Sequence, residues 1–276
     1  IRTVRVRDGK LYAGRKGDHV AVEEPLDIRL NGQQLSLTMR TPGNDVELIH
    51  GFLHAEGLIR DREDVAEARY CDGAVVDAGS GFAQNTYNVM DFTTTRPQLL
   101  PQVARAFTTT SACGVCGAES IDAVRQKSRY TLLQSWVADP HVILRAAREL
   151  SDQQAVFART GGVHAAALVD LEGNLLVVRE DVGRHNAVDK VIGWAAREGR
   201  LPLRGHALLV SSRAGFEIAQ KAAVAGVPVL ACVSAATTLA VEVADRAGLT
   251  LLGFVREPRA TVYTHTHRIP ESEPGL

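Results

Sequence analysis

The sequence predicts an α/β protein in which an α/β region with a helix-covered sheet follows a smaller α+β region. Three observations carry this. His206–Ser212, Val227–Ser234 and Leu249–Arg256 are near-continuous apolar runs of strand length separated by helical patterns, as expected of strands buried on both faces of a partly parallel sheet. The first hundred residues instead alternate apolar and polar positions around turn residues, the mark of half-buried strands. Between the two lies a polar, threonine-rich stretch, Thr108-Thr-Thr-Ser-Ala-Cys-Gly-Val-Cys-Gly117. The expected organisation is residues 1–107 as the small α+β domain, 108–138 as a cysteine loop and connecting helix beginning near Glu119, and 139–276 as the α/β domain.

The elements follow in order. Two alternating runs flank Asn31-Gly32 within Asp27–Met39, a pair suited to a two-residue hairpin turn. A helix is expected over residues 44–56, capped by Asn44 or Asp45, with Leu48, Phe52 and Leu53 on one face. Residues 64–95 read as further strands. Asp139-Pro140 supplies a cap and a first-turn proline for a helix over 139–150. Strands are expected at 163–170 and 174–180 around a Glu172-Gly173 turn, and helices at 186–197, 215–225 and 237–247. The tail after Ile269 reads as disordered.

Composition excludes several classes. The chain has 276 residues, 31 basic and 32 acidic, for a net charge of −1, so nothing global draws it to nucleic acid or an anionic membrane. No run approaches the roughly 20 apolar residues of a membrane span. Four cysteines, Cys71, Cys113, Cys116 and Cys232, are too few and too irregular for a disulfide scaffold. Cytoplasm with reduced thiols is the expected compartment.

The Cys113-Gly-Val-Cys116 pair admits several chemistries. Structural zinc needs four ligands, and His265-Thr-His267 has the wrong spacing to complete the set, so no metal is expected. A thioredoxin-like pair sits at a helix start after a strand, whereas this one follows threonines and is flanked by Gly114 and Gly117. Glycines allow an arm to swing, and a helix start after the loop would favour thiolate. A persulfide carrier needs that combination. Residue chemistry alone leaves these readings open.

Several segments in order resemble the FdhD family, the formate dehydrogenase accessory sulfurtransferases. They are Ser111–Gly117, Thr160-Gly-Gly-Val-His-Ala-Ala166, Glu180-Asp-Val-Gly-Arg-His-Asn-Ala-Val-Asp-Lys190, Ser211-Ser-Arg-Ala-Gly-Phe-Glu217, Val227–Ala235 and Gly253-Phe-Val-Arg256. The resemblance implies a sulfur carrier that takes persulfide sulfur from a cysteine desulfurase. It then delivers it to the bis-molybdopterin guanine dinucleotide form of the molybdenum cofactor, for formate dehydrogenase. Cys113 takes the persulfide position and Cys116 the supporting thiol. It further implies a homodimer and a cytidine-deaminase-like, three-layer αβα C-terminal domain. Deamination itself is not expected. His164-Ala-Ala166 lacks the glutamate of the zinc deaminases, and the Cys pair precedes it after alanine rather than proline.

Polar loops follow the three apolar strands: Ser211–Ala214, Ser234–Thr237 and Arg256–Arg259. Ligands of open α/β sheets bind beyond the carboxyl ends of strands, and helix starts suit phosphates. Arg213, Ser234, Arg256 and Arg259 are the candidate donors. The resemblance places cofactor binding at Gly253, Phe254, Val255, Arg256, Glu257, Pro258 and Arg259. Arg184 and His185 read either as phosphate or proton-handling groups or as part of a strand-to-helix turn capped by Asn186 or Asp181. His50 and His54 suit an interface better than a metal, and Cys71 and Cys232 read as structural. The competing functions are a cofactor chaperone without covalent sulfur chemistry and a dithiol reductase.

Overall fold

The computed structural model describes residues 3–13, 17–71, 75–76, 83–84, 88–95, 129–132 and 137–270. The cysteine loop, the helix expected near Glu119 and the final residues after 270 lie outside them. What is described is a mixed α/β protein with two main sheets.

The first hundred residues build the smaller sheet. After a separate hairpin, β1 (Val4–Arg7) with β2 (Lys10–Ala13), come β3 (Glu24–Leu30), β4 (Gln33–Arg40) and α1 (Asp45–Ala55). Then follow β5 (Val65–Tyr70), the short pair β6 (Val75–Val76) and β7 (Ala83–Gln84), and β8 (Val89–Thr94). The sheet order is β4-β3-β8-β5, with β3 parallel to β8 and the other pairs antiparallel. Asn31 and Gly32 both take positive φ, 51° and 79°, so the hairpin turns as its Asn-Gly pair requires. Leu26, Ile28, Met90 and Phe92 meet Leu48, Ile49 and Leu53 of α1 in one core.

The cap of α1 differs from expectation. Asn44 stands before the helix in the left-handed region and makes no side-chain cap bond. Asp45 is turned instead to the buried guanidinium of Arg40, at 2.9 Å, and also accepts from the Tyr70 hydroxyl. A fully buried arginine is tolerated only with its charge matched, and that demand outweighs capping.

The larger sheet follows α2 (Pro140–Gln153) and α3 (Ala155–Thr160). Asp139 caps α2 by accepting from His141 N at 2.8 Å, with Pro140 in the first turn. Next come β9 (His164–Val169), β10 (Leu175–Asp181), α4 (Arg184–Arg197), β11 (Ala207–Val210), α5 (Phe216–Val224) and β12 (Val229–Cys232). Then follow α6 (Thr238–Ala247), β13 (Thr250–Arg256) and β14 (Arg259–Val262). The order is β10-β9-β11-β12-β13-β14. Only the β11–β12 and β12–β13 pairs are parallel; the sheet is mixed. The Asp170–Asn174 turn, held by Asp170 accepting from Glu172 N and Asn174 N, is far too short for a crossover, so β9 and β10 are antiparallel. Helices α4, α5 and α6 pack on one face, α2 on the other.

The two sheets are joined through α1 and α4. Gly51 and Gly193 bring the helix backbones together: a Cβ on Gly193 would stand 1.7 Å from the Glu47 carbonyl oxygen, and one on Gly51 2.0 Å from that of Asp189. Arg179 of β10 grips the Glu47 carboxylate with two nitrogens, one at 2.8 Å. Buried Asp181 accepts from Lys190 Nζ at 2.7 Å, from Thr41 N and from Asn186 Nδ2, while Lys190 also donates to Thr41 O.

Candidate functional site

At the carboxyl ends of β11, β12 and β13 the surface opens into a cleft of about 690 Å³, within the range of small-ligand pockets. Ser211, Val233, Val255 and Arg256 form the strand-end side. The facing wall comes from Arg148, Ser151, Gln154 and Phe157 of α2 and α3, and the third side from Gly161, Gly162 and His164. The antiparallel β9 explains why His164 is here: its start lies beside the end of β11, where Ala165 N donates to Ser211 Oγ at 2.8 Å. Burial, and then the Arg184 charge, lower the His164 pKa, so its ring is a neutral hydrogen-bonding group. Glu180 holds α3 in place by accepting from Val156 N and Phe157 N. The cleft thus offers cationic arginines, an imidazole, an amide and an aromatic ring, which suits an anionic ligand bearing a planar ring better than it suits bond-breaking chemistry.

The candidate residues separate. Arg256 and Val255 line this cleft; Arg213 is exposed on its own loop and does not. Glu257 pairs with Arg148 at 2.9 Å across the mouth. Gly253 packs so closely under Tyr263 that a Cβ would lie 2.8 Å from the ring. Phe254 N donates to the Ser234 carbonyl, and the Phe254 backbone takes positive φ. Pro258 sits at the tip of the β13–β14 turn, and Arg259 opens β14 opposite Arg256. Two of the three strand-end loops are stitched to each other, Ala214 N donating to Ala235 O and Thr237 N to Ala214 O. Thr237 also caps α6 through Ala240 N. Cys113 and Cys116 lie outside the described residues.

The Asp181–Asn186 turn is divided in role. Asp181 and Asn186 hold the join between the sheets, while Gly183, without a side-chain cap, stands before α4. His185 lies 3.1 Å from Glu217 Oε2. Burial, reinforced by Arg184, Lys221 and His164, pushes its pKa down to about 3, so it is neutral at physiological pH. Behind it Lys221 Nζ donates to both oxygens of buried Asp189 at 2.8 and 2.9 Å. His50 stacks edge-on against Phe92 and contacts the Val46 carbonyl at 2.7 Å, and His54 is buried. Among the described residues no acidic, His and Cys group is arranged to hold a metal. Burial raises the Cys232 thiol to about 11, which keeps it unreactive.

The helix over 139–150 was expected, but its role as a cleft wall was not; the sequence signal beside it is Gly161-Gly162 within the Thr160–Ala166 segment.

The FdhD/NarQ family model matches residues 21–270. The chain belongs to the FdhD/NarQ family. It is 50% identical over 279 residues to the sulfur carrier protein FdhD of Mycolicibacterium paratuberculosis, covering 97% of this chain and 98% of that one. It is 51% identical to the protein of that name from Mycobacterium tuberculosis, covering 91% of each, and 52% identical to that of Corynebacterium efficiens, covering 90% and 89%. The crystal structure of a candidate formate dehydrogenase accessory protein from Desulfotalea psychrophila shares the fold. Its TM-score is 0.75 over 98% of both chains, at 24% identity.

Proposed function

We propose that this protein is a sulfur carrier serving formate dehydrogenase. The observation that carries the reading is its identity of about 50%, over nearly the whole of both chains, to proteins named sulfur carrier protein FdhD. Cys113 accepts the sulfur. Its thiolate attacks the outer sulfur of a cysteine desulfurase persulfide, the desulfurase cysteine leaves as thiolate, and Cys113 holds the new persulfide. Attack by Cys116 on the inner sulfur then releases sulfide to the acceptor and leaves a Cys113–Cys116 disulfide, which a cellular thiol reduces. The acceptor is the bis-molybdopterin guanine dinucleotide molybdenum cofactor. One of its guanine nucleotide arms lies in the strand-end cleft, with Arg256 meeting the pyrophosphate by charge-assisted bonds.

Mass spectrometry after incubation with a desulfurase and cysteine tests the first half: one added sulfur on Cys113, absent in Cys113→Ala. Calorimetry with GDP tests the second. Arg256→Ala is expected to lose about 1.5–3 kcal/mol of binding, and wild-type binding to weaken as salt rises. GDP binding without persulfide loading would make the protein a cofactor chaperone instead. Loading without GDP binding would move the acceptor site elsewhere.

A further inference from the structure

Gln154 stands at the junction of α2 and α3, on the wall of the cleft. It is only 7% exposed. Its backbone is fully engaged, the N–H donating to Ser151 O and the carbonyl accepting from Ala158 N. Its side-chain amide makes no hydrogen bond with any described residue. A primary amide carries two donors and an acceptor. Neither of its polar atoms is among the fully buried ones that lack a partner, so the amide keeps contact with the open cleft, and that is where a partner for it can come from. One helix turn on, Phe157 lines the same cleft with its ring 46% exposed, although large apolar rings are ordinarily covered. Cationic Arg148 and Arg256 lie among the other lining residues.

We propose that Gln154 and Phe157 form the ring-reading part of the cleft, with Phe157 stacking on a planar heterocycle and the Gln154 amide pairing with its adjacent N–H donor and carbonyl acceptor. The inference rests on the cofactor-cleft reading above and says which residues select the ligand. An amide matches an edge where N–H and C=O stand side by side, and an aromatic face stacks on any base-like ring. Guanine and pterin share that edge, so both come under the same chemistry. Arg148 is then freed from Glu257 as the anionic part of the ligand enters, because both compete for one guanidinium.

The test is calorimetry on the full chain with three probes, GDP, 6-hydroxymethylpterin and inorganic pyrophosphate. The proteins are wild type, Gln154→Leu and Phe157→Ala. Leucine keeps the volume and removes both polar groups; Phe157 is exposed enough that its loss leaves folding intact. GDP affinity is expected to fall about tenfold or more in each variant, as follows from one lost amide pairing or one lost stack, with pyrophosphate affinity unchanged. The same fall for the pterin alone assigns the subsite to the pterin, and for GDP alone to guanine; either outcome supports the shared chemistry. GDP and pterin affinities indifferent to Gln154→Leu would overturn the inference while leaving the cleft reading intact. An equal fall for pyrophosphate would also overturn it, by showing that the residue acts through the fold. No binding of GDP or pyrophosphate by wild type would remove the cleft reading and this inference together.

Discussion

Replacing Gly193 with alanine is expected to damage the protein at the α1–α4 crossing. Two effects oppose each other. Alanine is the better helix former, worth about 1 kcal/mol over glycine within a helix. Against this, its Cβ would stand 1.7 Å from the Glu47 carbonyl oxygen, where ordinary contact begins near 3.4 Å. The obstacle is backbone, which cannot rotate aside, so the helices must separate by roughly 1.7 Å locally, and gaps of even 0.5–1 Å forfeit a quarter to a half of each dispersion contact. Separation also pulls at the Arg179–Glu47 pair beside the crossing. Overpacking of this kind costs about 1–3 kcal/mol and sometimes more. Adding about 1 kcal/mol for the strained ion pair and subtracting the propensity gain leaves a net loss on the order of 1–3 kcal/mol. For a chain of this size that is a fall in thermal midpoint of about 2–10 °C. Gly205→Ala is the control: nothing lies within 4 Å of its Cβ position and its φ is not left-handed, so it should be neutral or gain a few tenths of a kcal/mol, roughly. Urea and thermal unfolding followed by circular dichroism would measure both. A Gly193→Ala protein as stable as its parent would refute the close backbone approach.

Lys221→Met should cost about 3–5 kcal/mol at neutral pH, because it strands the buried Asp189 carboxylate. Burial already raises Asp189 to about 6 from its ordinary 3.8; the folded state holds a proton that the unfolded state has released, so stability falls as pH rises through that window. Without Lys221 the window should reach higher pH, and a stability loss equal at pH 5 and pH 8 would contradict this. His54 is lowered to about 4 and His185 to about 3 from 6.5. The unfolded chain therefore takes up these protons first, and stability present at pH 7 is lost progressively below pH 6.5. His54→Gln should flatten that acid slope, measured by urea midpoints between pH 6.5 and 4; an unchanged slope would exclude it. Asp139→Ala should lower stability by about 1 kcal/mol through the lost cap, and an unaltered midpoint would show that α2 does not depend on it.

Local signals were read well where they were self-contained. Asn31-Gly32 set its turn, Asp139-Pro140 started its helix, and the apolar runs at 207–210, 229–232 and 250–256 became adjacent strands. What depended on distant partners was not legible. Asn44 and Asp45 looked like a cap, but Arg40 claimed Asp45 through folding that no local window contains. The β9–β10 turn was placed correctly, but the antiparallel pairing of β9 with β11, which carries His164 to the strand-end edge, follows only from the sheet order. Arg256 reached the cleft as the strand-end rule suggests, whereas Arg213, equally placed in sequence, does not line it. Gln154 carried no signal at all, since its meaning lies in presenting to the cleft an amide that no described residue meets.

The backbone contact between α1 and α4 also bears on how such a protein can change over generations. Two units joined by side chains can drift, because a larger residue on one is matched by a smaller one on the other. Here each helix presents its bare main chain to the other at Gly51 and Gly193, so there is no bulk left to trade. Each half must therefore keep its own glycine, whatever else in it changes. A chimera that takes residues 1–107 from one relative and the remainder from another should fold only when both parents carry glycine at these two positions. Recombination within either sheet's outer strands faces no such restriction.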